Sequence, residues 1–374
     1  MRSGTYINQL QGDLRYKAFV PNKLPFELKA EEKLQSLLSR ADLALGRLDG
    51  VADILPNIDF FIFMYVRKEA TISSQMEGTQ ATFVDVLKKE AKLEDAEIHK
   101  DVDEVINYIA AMNFGLARLK EFPLSLRLLR EIHEKLLHGV RGEGKHPGEF
   151  RTSQNWIGGP TIETATFVPP PASEVMNLMG NLEEYLHSAT HTPILIKTGL
   201  MHAQFETIHP FLDGNGRVGR LLITFYLCQQ QALRKPLLYL SEFFKRNRQT
   251  YYDRLNSLRD KDDLEGWLEF FLQGIIETSE KAVDTARKII KLRDYGLNQV
   301  SKLGRSTEKG MILYNYLFRT PIIRVRDAER ILGIKNPNAL ALVSKFVDLG
   351  ILRELTGFKR NRVFSFADYV SLFE

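Results

Sequence analysis

Twelve residues past the middle of the chain, His209–Arg220 (HPFLDGNGRVGR), constrain the fold more than any other stretch. Apolar spacing is helical on both sides, MHAQFETI before and RLLITFYLCQQ after. The stretch therefore reads as helix, tight loop, helix, with the glycines where the second helix begins. The first N–H groups of a helix lack intrahelical partners, and the dipole adds partial positive charge there, so this end suits an anion. Gly214 and Gly216 let the backbone approach a phosphate closely and adopt positive φ. Arg217 and Arg220, three apart, share a helix face, and arginine suits forked contacts with phosphate oxygens. Asp213 alone would repel phosphates; Mg²⁺ between its carboxylate and the phosphates removes the conflict. His209 stands at the loop mouth and takes a proton near neutral pH. Together the pieces point to phosphate-ester transfer. No Gly-x-x-x-x-Gly-Lys-Ser/Thr run occurs, so the loop is not a Walker A loop.

HPFLDGNGRVGR resembles the signature of the Fic family, HPFx(D/E)GNGRxxR, at every fixed position. The resemblance implies transfer of AMP from ATP to a hydroxyl of a target protein, with release of pyrophosphate. It makes His209 the base, Asp213 the Mg²⁺ ligand and Gly214, Asn215 and Gly216 the cradle of the α- and β-phosphates. Arg217 and Arg220 would grip the β- and γ-phosphates, Phe211 would anchor the loop, and the ATP-binding set extends to Val218 and Gly219. The implied fold is mainly α: a Fic helical bundle with a β-hairpin flap.

Upstream, residues 1–25 show little periodicity and read as an extended arm. Glu27 to about Leu48 has amphipathic helical spacing, and a second helix is expected over about 57–78. Its tail, Ser73-x-x-x-Glu77-Gly78, resembles the inhibitory motif found N-terminal to many Fic cores. Ser73 and Glu77 share a helix face. A carboxylate paired with Arg220 removes the group meant for the γ-phosphate and puts negative charge in its space. A misplacement of about 1 Å can slow a reaction on the order of a hundredfold. Thr79–Lys92 and Asp101–Lys120 read as helices joined by a surface connection.

Ser125 is the expected N-cap of the helix SLRLLREIHEKLLHGV, whose His133 and His138 read as structural. Glu149–Ile157 and Thr164–Val168 flank a Gly-Gly-Pro turn and carry a hairpin signal. In the Fic family such a flap, here 149–168, holds the target segment by strand-like pairing. Ser173 is the expected cap of a helix reaching about His187, and Pro193–Ile208 leads into the motif. His202 and Glu206 precede His209 without the His-Glu-x-x-His spacing of a zinc protease. Helix 217–231 follows, then a single helix with Asn247 near its middle; family members bind adenine near this region, which makes Asn247 the candidate nucleobase contact. Leu264–Lys291 is a long amphipathic helix. From about Leu297 a polar linker leads to helices at 309–319, 325–332 and 337–349 and two short β runs around Thr356–Asn361. These resemble a small winged helix-turn-helix, with a basic wing (Lys359, Arg360, Arg362) on an otherwise weakly basic unit. Contacts with a second copy or a target are as compatible with it as DNA binding.

The 374 residues are 44% hydrophobic and 26% charged, with a net charge of +4 spread along the chain, so nothing demands a polyanionic partner. The one cysteine, Cys228, falls in an apolar run and is expected to be buried. No run of membrane-spanning length and no signal-peptide core appear, so a cytoplasmic protein without membrane contact is expected. The expected organisation is an N-terminal helical region (1–120), a catalytic core (121–296) and a winged unit (305–374). The expected activity is protein adenylyl transfer from ATP to Tyr, Thr or Ser, autoinhibited through Ser73, Glu77 and Gly78. Self-modification and a homodimer that buries or releases the Glu77 helix are compatible with it. Two alternatives remain: removal of AMP from a modified protein with Glu77 activating water, and an ATP-sensing transcriptional regulator.

Overall fold

The computed structural model describes residues 1–10, 15–29, 31–55, 58–93, 98–189, 191–357 and 361–374. Among the described residues the chain is mainly helical, and no helix is long and apolar enough to cross a membrane. At the centre lies α7 (Ile194–Ile208), every residue of which from Leu195 onward is buried. A helix that is apolar on all sides belongs inside a bundle. It packs against α6 (Ala172–His187), α8 (Asn215–Gln229) and α11 (Leu264–Val300). Trp267 of α11 is fully buried and donates its indole N–H to the Gly199 carbonyl of α7 at 2.9 Å. The remaining helices wrap this centre. α1 (Glu32–Ile54) lies along α11, while α2 (Ile58–Met76) is wedged between α4 (Val102–Arg118) and α9 (Ser241–Arg246). α5 (Leu126–Leu137) starts at Ser125, whose hydroxyl accepts from Leu128 N at 3.3 Å, as the sequence suggests.

Several local readings change. Residues 1–25 form a hairpin, β1 (Gly4–Gln9) antiparallel to β2 (Tyr16–Pro21), rather than a bare arm. Its pattern is hard to see because β2 buries Ala18 and Phe19 side by side, which breaks the alternation expected of a strand. α6 is preceded by Pro171, not capped by Ser173; proline's fixed φ suits the entry to a helix. The single helix expected around Asn247 is two, α9 and α10 (Arg248–Lys261). Asn247 breaks them, its carboxamide donating to the Phe243 carbonyl at 3.0 Å in competition with the backbone. The surface connection after α3 (Phe83–Glu90) includes residues 94–97, which lie outside the described residues. Cys228 is half-buried.

The 149–168 segment reverses direction but makes one isolated bridge, Ile157 with Phe167, instead of a ladder. Prolines 169–171 offer no N–H, and side chains bind much of the remaining backbone. Gln154 donates to Pro169 O, Arg151 to Pro170 O, and β2 contributes Phe19 N to Val168 O.

The expected polar linker is not one: α11 continues to Val300, which is fully buried, and only a single 3-10 turn (Gly304–Ser306) separates it from α12 (Thr307–Leu317). Then come β3 (Ile322–Arg324), α13 (Val325–Leu332), α14 (Asn336–Asp348), β4 (Arg353–Glu354), β5 (Val363–Ser365) and α15 (Ala367–Val370). The three strands form an antiparallel sheet in the order β3-β5-β4. Of the basic wing residues, Lys359 and Arg360 lie outside the described residues, and Arg362 Nε pairs with Glu354 at 2.9 Å. The end of this unit is applied to α2. Phe373 stands against Phe61, Tyr65 and Phe83, with centroids 5.4–6.4 Å apart, and Tyr369 donates to the Phe60 carbonyl at 3.3 Å. Arg324 reaches back to the Ala91 and Lys92 carbonyls.

Removing the Phe373 ring leaves a void in this cluster. Phe373→Ala is expected to cost about 3 kcal/mol, the lower end of Phe-to-Ala core truncations. A thermal midpoint equal to wild type, with unchanged amide exchange in α2, would contradict that packing.

Candidate active site

The site is assembled where α7 ends and α8 begins. His209 closes α7 in the left-handed region (φ 49°, ψ 61°), its N–H still bonded to Phe205 O at 2.9 Å. A non-glycine residue there is unfavourable by about 1–2 kcal/mol and needs its surroundings to hold it. Arg151, buried, does so: Nε donates to His209 O at 2.9 Å and one Nη to Ile208 O at 3.2 Å. Two carboxamides finish the turn. Asn215 takes Phe211 N on Oδ1 at 2.8 Å and gives Nδ2 to Phe211 O at 2.7 Å; Asn155 gives Nδ2 to Phe211 O at 3.0 Å. Both also present N–H to His209 Nδ1, at 3.1 and 3.0 Å. The Phe211 ring is fully buried and stacks on His133 at 3.8 Å.

α8 then starts from Gly214, which is left-handed at φ 78° and tightens the loop onto the helix end. His133 braces it from below: Nδ1 accepts from Gly148 N, so Nε2–H donates to the Asp213 carbonyl, both at 2.9 Å. Burial lowers His133 to a pKa of about 4, keeping this brace neutral. Asp213 Oδ1 accepts Gly214 N at 2.6 Å, while Oδ2 has no hydrogen bond among the described residues and the side chain is 37% exposed. A single free carboxylate oxygen at an anion cradle fits Mg²⁺, which commonly binds one carboxylate plus substrate oxygens.

The two arginines differ. Arg220 is occupied: Nε donates to Ser73 Oγ at 2.8 Å, and one Nη donates to Ser73 O at 3.0 Å and Glu77 Oε1 at 2.7 Å. Gly216 permits this, since a Cβ there would stand 2.3 Å from Glu77 Oε1. Arg217 is fully buried, with Nη1 3.5 Å from Glu104 and Nε and Nη2 without hydrogen-bond partners. Burial lowers its pKa, and nearby Asp213, Glu77 and Glu104 only partly restore it. Burial is the largest single influence and pushes Glu77 upward, but the charge and hydrogen bond of Arg220, with Arg217 and His209, together hold its carboxyl below the ordinary value. His209 falls to about 3, chiefly by burial and then by Arg151, and is neutral at physiological pH.

The turn thus brings together Ser73, Glu77, His209, Asp213–Gly216, Arg217 and Arg220. Val218 is buried on the inner face of α8, and Gly78 turns the chain out of α2 at φ 97°. Asn247 engages Phe243 O, and its neighbour Arg248 reaches Met76 O at 3.5 Å, so that segment borders the site. His202 faces elsewhere, its nitrogens at Gly219 O and the Tyr251 hydroxyl. Sequence reasoning missed Arg151, Asn155 and Glu104 and saw His133 only as structural. Arg151 and Asn155 lie in non-helical chain, where spacing carries no facing information; Glu104 looks like any polar residue of α4.

A left-handed histidine, a glycine-started helix and two inward arginines define a phosphate-handling helical domain. Two family models match: the Fic/DOC family N-terminal model over residues 35–117 and the Fic/DOC family model over 123–227. The chain belongs to the Fic/DOC family. A probable protein adenylyltransferase of Aquifex aeolicus is 28% identical over 284 residues, covering 73% of this chain and 78% of that protein. The protein adenylyltransferase Fic of Drosophila yakuba is 28% identical over 263 residues, covering 68% of this chain but only 48% of its own length. In fold, a Fic family protein from Desulfovibrio desulfuricans aligns over 90% of this chain and 97% of its own, with TM-score 0.58 and 19% identity. The chain is an enzyme of the nucleotidyltransferase class.

The Glu77–Arg220 pair sets a pH dependence. Because Glu77 has a depressed pKa in the folded state, its contribution is complete above the ordinary glutamate value near 4.3 and is lost as pH falls through the lower folded value. The stability difference between wild type and Glu77→Gln should therefore be flat from about pH 6 to 8 and shrink below about pH 4. Urea titrations of both proteins across that range check it; a difference that grows on acidification would contradict the pairing.

Proposed function

We propose that the protein transfers AMP from ATP to a Tyr, Thr or Ser hydroxyl of a target protein and is held off by Glu77. The observation that carries this reading is the 2.7 Å Arg220–Glu77 pair inside a phosphate cradle. Arg220 is the guanidinium best placed for the far end of a triphosphate, and here it is spent on the chain's own carboxylate and on Ser73. With Glu77 withdrawn, the N–H groups of Asn215 and Gly216, and that of Gly214 once it leaves Asp213 Oδ1, would face the α- and β-phosphates and the arginines take the β- and γ-phosphates. Asp213 would hold Mg²⁺, which supplies neutralising charge on the phosphates. The target oxygen attacks the α-phosphorus and forms the new P–O bond. The bond from that phosphorus to the β-phosphate oxygen breaks, pyrophosphate leaves, and the hydroxyl proton passes to His209.

The proton step adds a requirement. With two carboxamide N–H groups on Nδ1, the resting neutral ring carries its proton on Nε2. For Nε2 to act as the base, that proton must lie on Nδ1 instead. Asn155 Oδ1 is buried without a partner, so a half-turn of this carboxamide offers Nδ1–H an acceptor. The flap that carries Asn155 is also the surface we assign to the target, because its largely unladdered backbone suits strand-like pairing. The helix order and three-stranded sheet of 305–374 support a winged helix-turn-helix reading. Of the described basic residues of the wing, Arg362 is paired with Glu354 while Arg353 on β4 is exposed, so protein contact and DNA binding both fit this unit.

ATP labelled on the α-phosphate, with Mg²⁺ and a cell lysate, tests the proposal. Glu77→Gly should incorporate at least about a hundredfold more label than wild type, the scale of a misaligned phosphate chain. Glu77→Gly/His209→Ala should incorporate none. Equal labelling of wild type and Glu77→Gly would remove the inhibitory assignment, and label surviving His209→Ala would remove the base.

A further inference from the structure

Glu104 lies on α4, outside the motif, and is 5% exposed. A single oxygen of its carboxylate, Oε2, receives three distant parts of the chain. Arg217 Nη1 approaches to 3.5 Å, Arg141 Nη2 to 3.3 Å and the Thr79 hydroxyl to 3.2 Å. Arg141 Nη2 also donates to the Glu77 carbonyl at 3.1 Å, and Thr79 follows the inhibitory motif directly. The acid thus joins the phosphate cradle to the end of α2.

Arg217 depends on this contact. It is wholly buried, and its Nε and Nη2 have no hydrogen-bond partner. Of its other carboxylate neighbours, Glu77 is paired with Arg220, and Asp213 Oδ1 stands at 3.7 Å, within ion-pair reach but beyond hydrogen-bond range. A buried guanidinium that loses one anion moves to the next, because an uncompensated buried charge is strongly unfavourable. Here the next anion is Asp213. That collapse would withdraw a phosphate ligand and a cation ligand together.

We propose that Glu104 is a positioning residue for nucleotide binding. Its charge holds Arg217 over the cradle and keeps it from closing further onto Asp213 from the present 3.7 Å, leaving Asp213 Oδ2 for Mg²⁺. The inference rests on reading the site as a nucleotide cradle.

The test uses the full chain carrying Glu77→Gly and His209→Ala, which opens the site and prevents turnover. Mg²⁺–ATP is titrated calorimetrically into this protein with and without Glu104→Gln. Losing a buried charge-assisted contact should weaken ATP binding roughly 10- to 100-fold. The Mg²⁺ concentration needed for half-saturation should rise as well. In Glu77→Gly alone, Glu104→Gln should raise the KM for ATP by the same factor while kcat at saturation changes less than about threefold, the pattern of lost uniform binding. Glu104→Asp keeps the charge and should fall between, which also covers the case in which Glu104→Gln does not fold. Unchanged ATP affinity and Mg²⁺ requirement at a normal thermal midpoint would overturn the inference. So would equal losses for Gln and Asp that track only a lowered midpoint. If the parent binds Mg²⁺–ATP but Glu77→Gly transfers no AMP, the proposed reaction fails while the binding titrations still decide the role of Glu104.

Discussion

Arg220 can hold one anion at a time, and much of the molecule bears on which one. In this structure it binds the Ser73 hydroxyl and carbonyl and the Glu77 carboxylate, with the guanidinium buried and the Glu77 side chain half-buried. Three bonds from one guanidinium, all charge-assisted and one of them to a carboxylate, make this a strong and specific contact. Its formation requires glycine at 216, a helix end at Gly214 and α2 delivered at the right height. Because the pair lies between two helices of one chain, it forms without the entropic penalty of association, and in the proposed reaction the nucleotide has to displace it.

α2 is held on several sides. α4 and α9 pack along it, Arg141 and Arg248 grip the carbonyls of Glu77 and Met76 at its end, and Phe373 and Tyr369 press on its first turns. The buried Glu69 accepts from Ser241 and Tyr108, and burial raises its pKa above the ordinary carboxyl value, so α2 also carries a hydrogen-bonded buried acid in its middle. The catalytic turn is fixed independently, by Arg151, Asn155 and His133 on the far side of His209. The Glu77–Arg220 pair and the His209 turn therefore rest on different supports.

How much of this is legible in the sequence depends on whether the signal is local. The HPFLDGNGRVGR turn is local: loop, caps and arginines lie within twelve residues, and its fold and its Glu77 partner follow from pattern and resemblance. The long helices follow from apolar period. What escapes is set by tertiary context. The β1–β2 hairpin has adjacent buried residues instead of alternating ones, and the α9–α10 break depends on one carboxamide choosing a backbone carbonyl. The chain after Leu297 looks polar but is helical because Tyr314 and Val300 anchor it, Tyr314 donating to Leu292 O at 2.9 Å. Arg151, Asn155 and Glu104 act across large sequence separations, 58, 54 and 113 residues, so no spacing rule marks them.

The central claim is that Glu77 and the γ-phosphate compete for Arg220. The most direct measurement is a crystal structure of Glu77→Gly with Mg²⁺ and ATP. The account predicts the Arg220 guanidinium on γ-phosphate oxygens, Mg²⁺ on Asp213 and the α-phosphorus facing His209. An Arg220 still turned to Ser73, with the triphosphate bound elsewhere or its γ-phosphate in solvent, would contradict it.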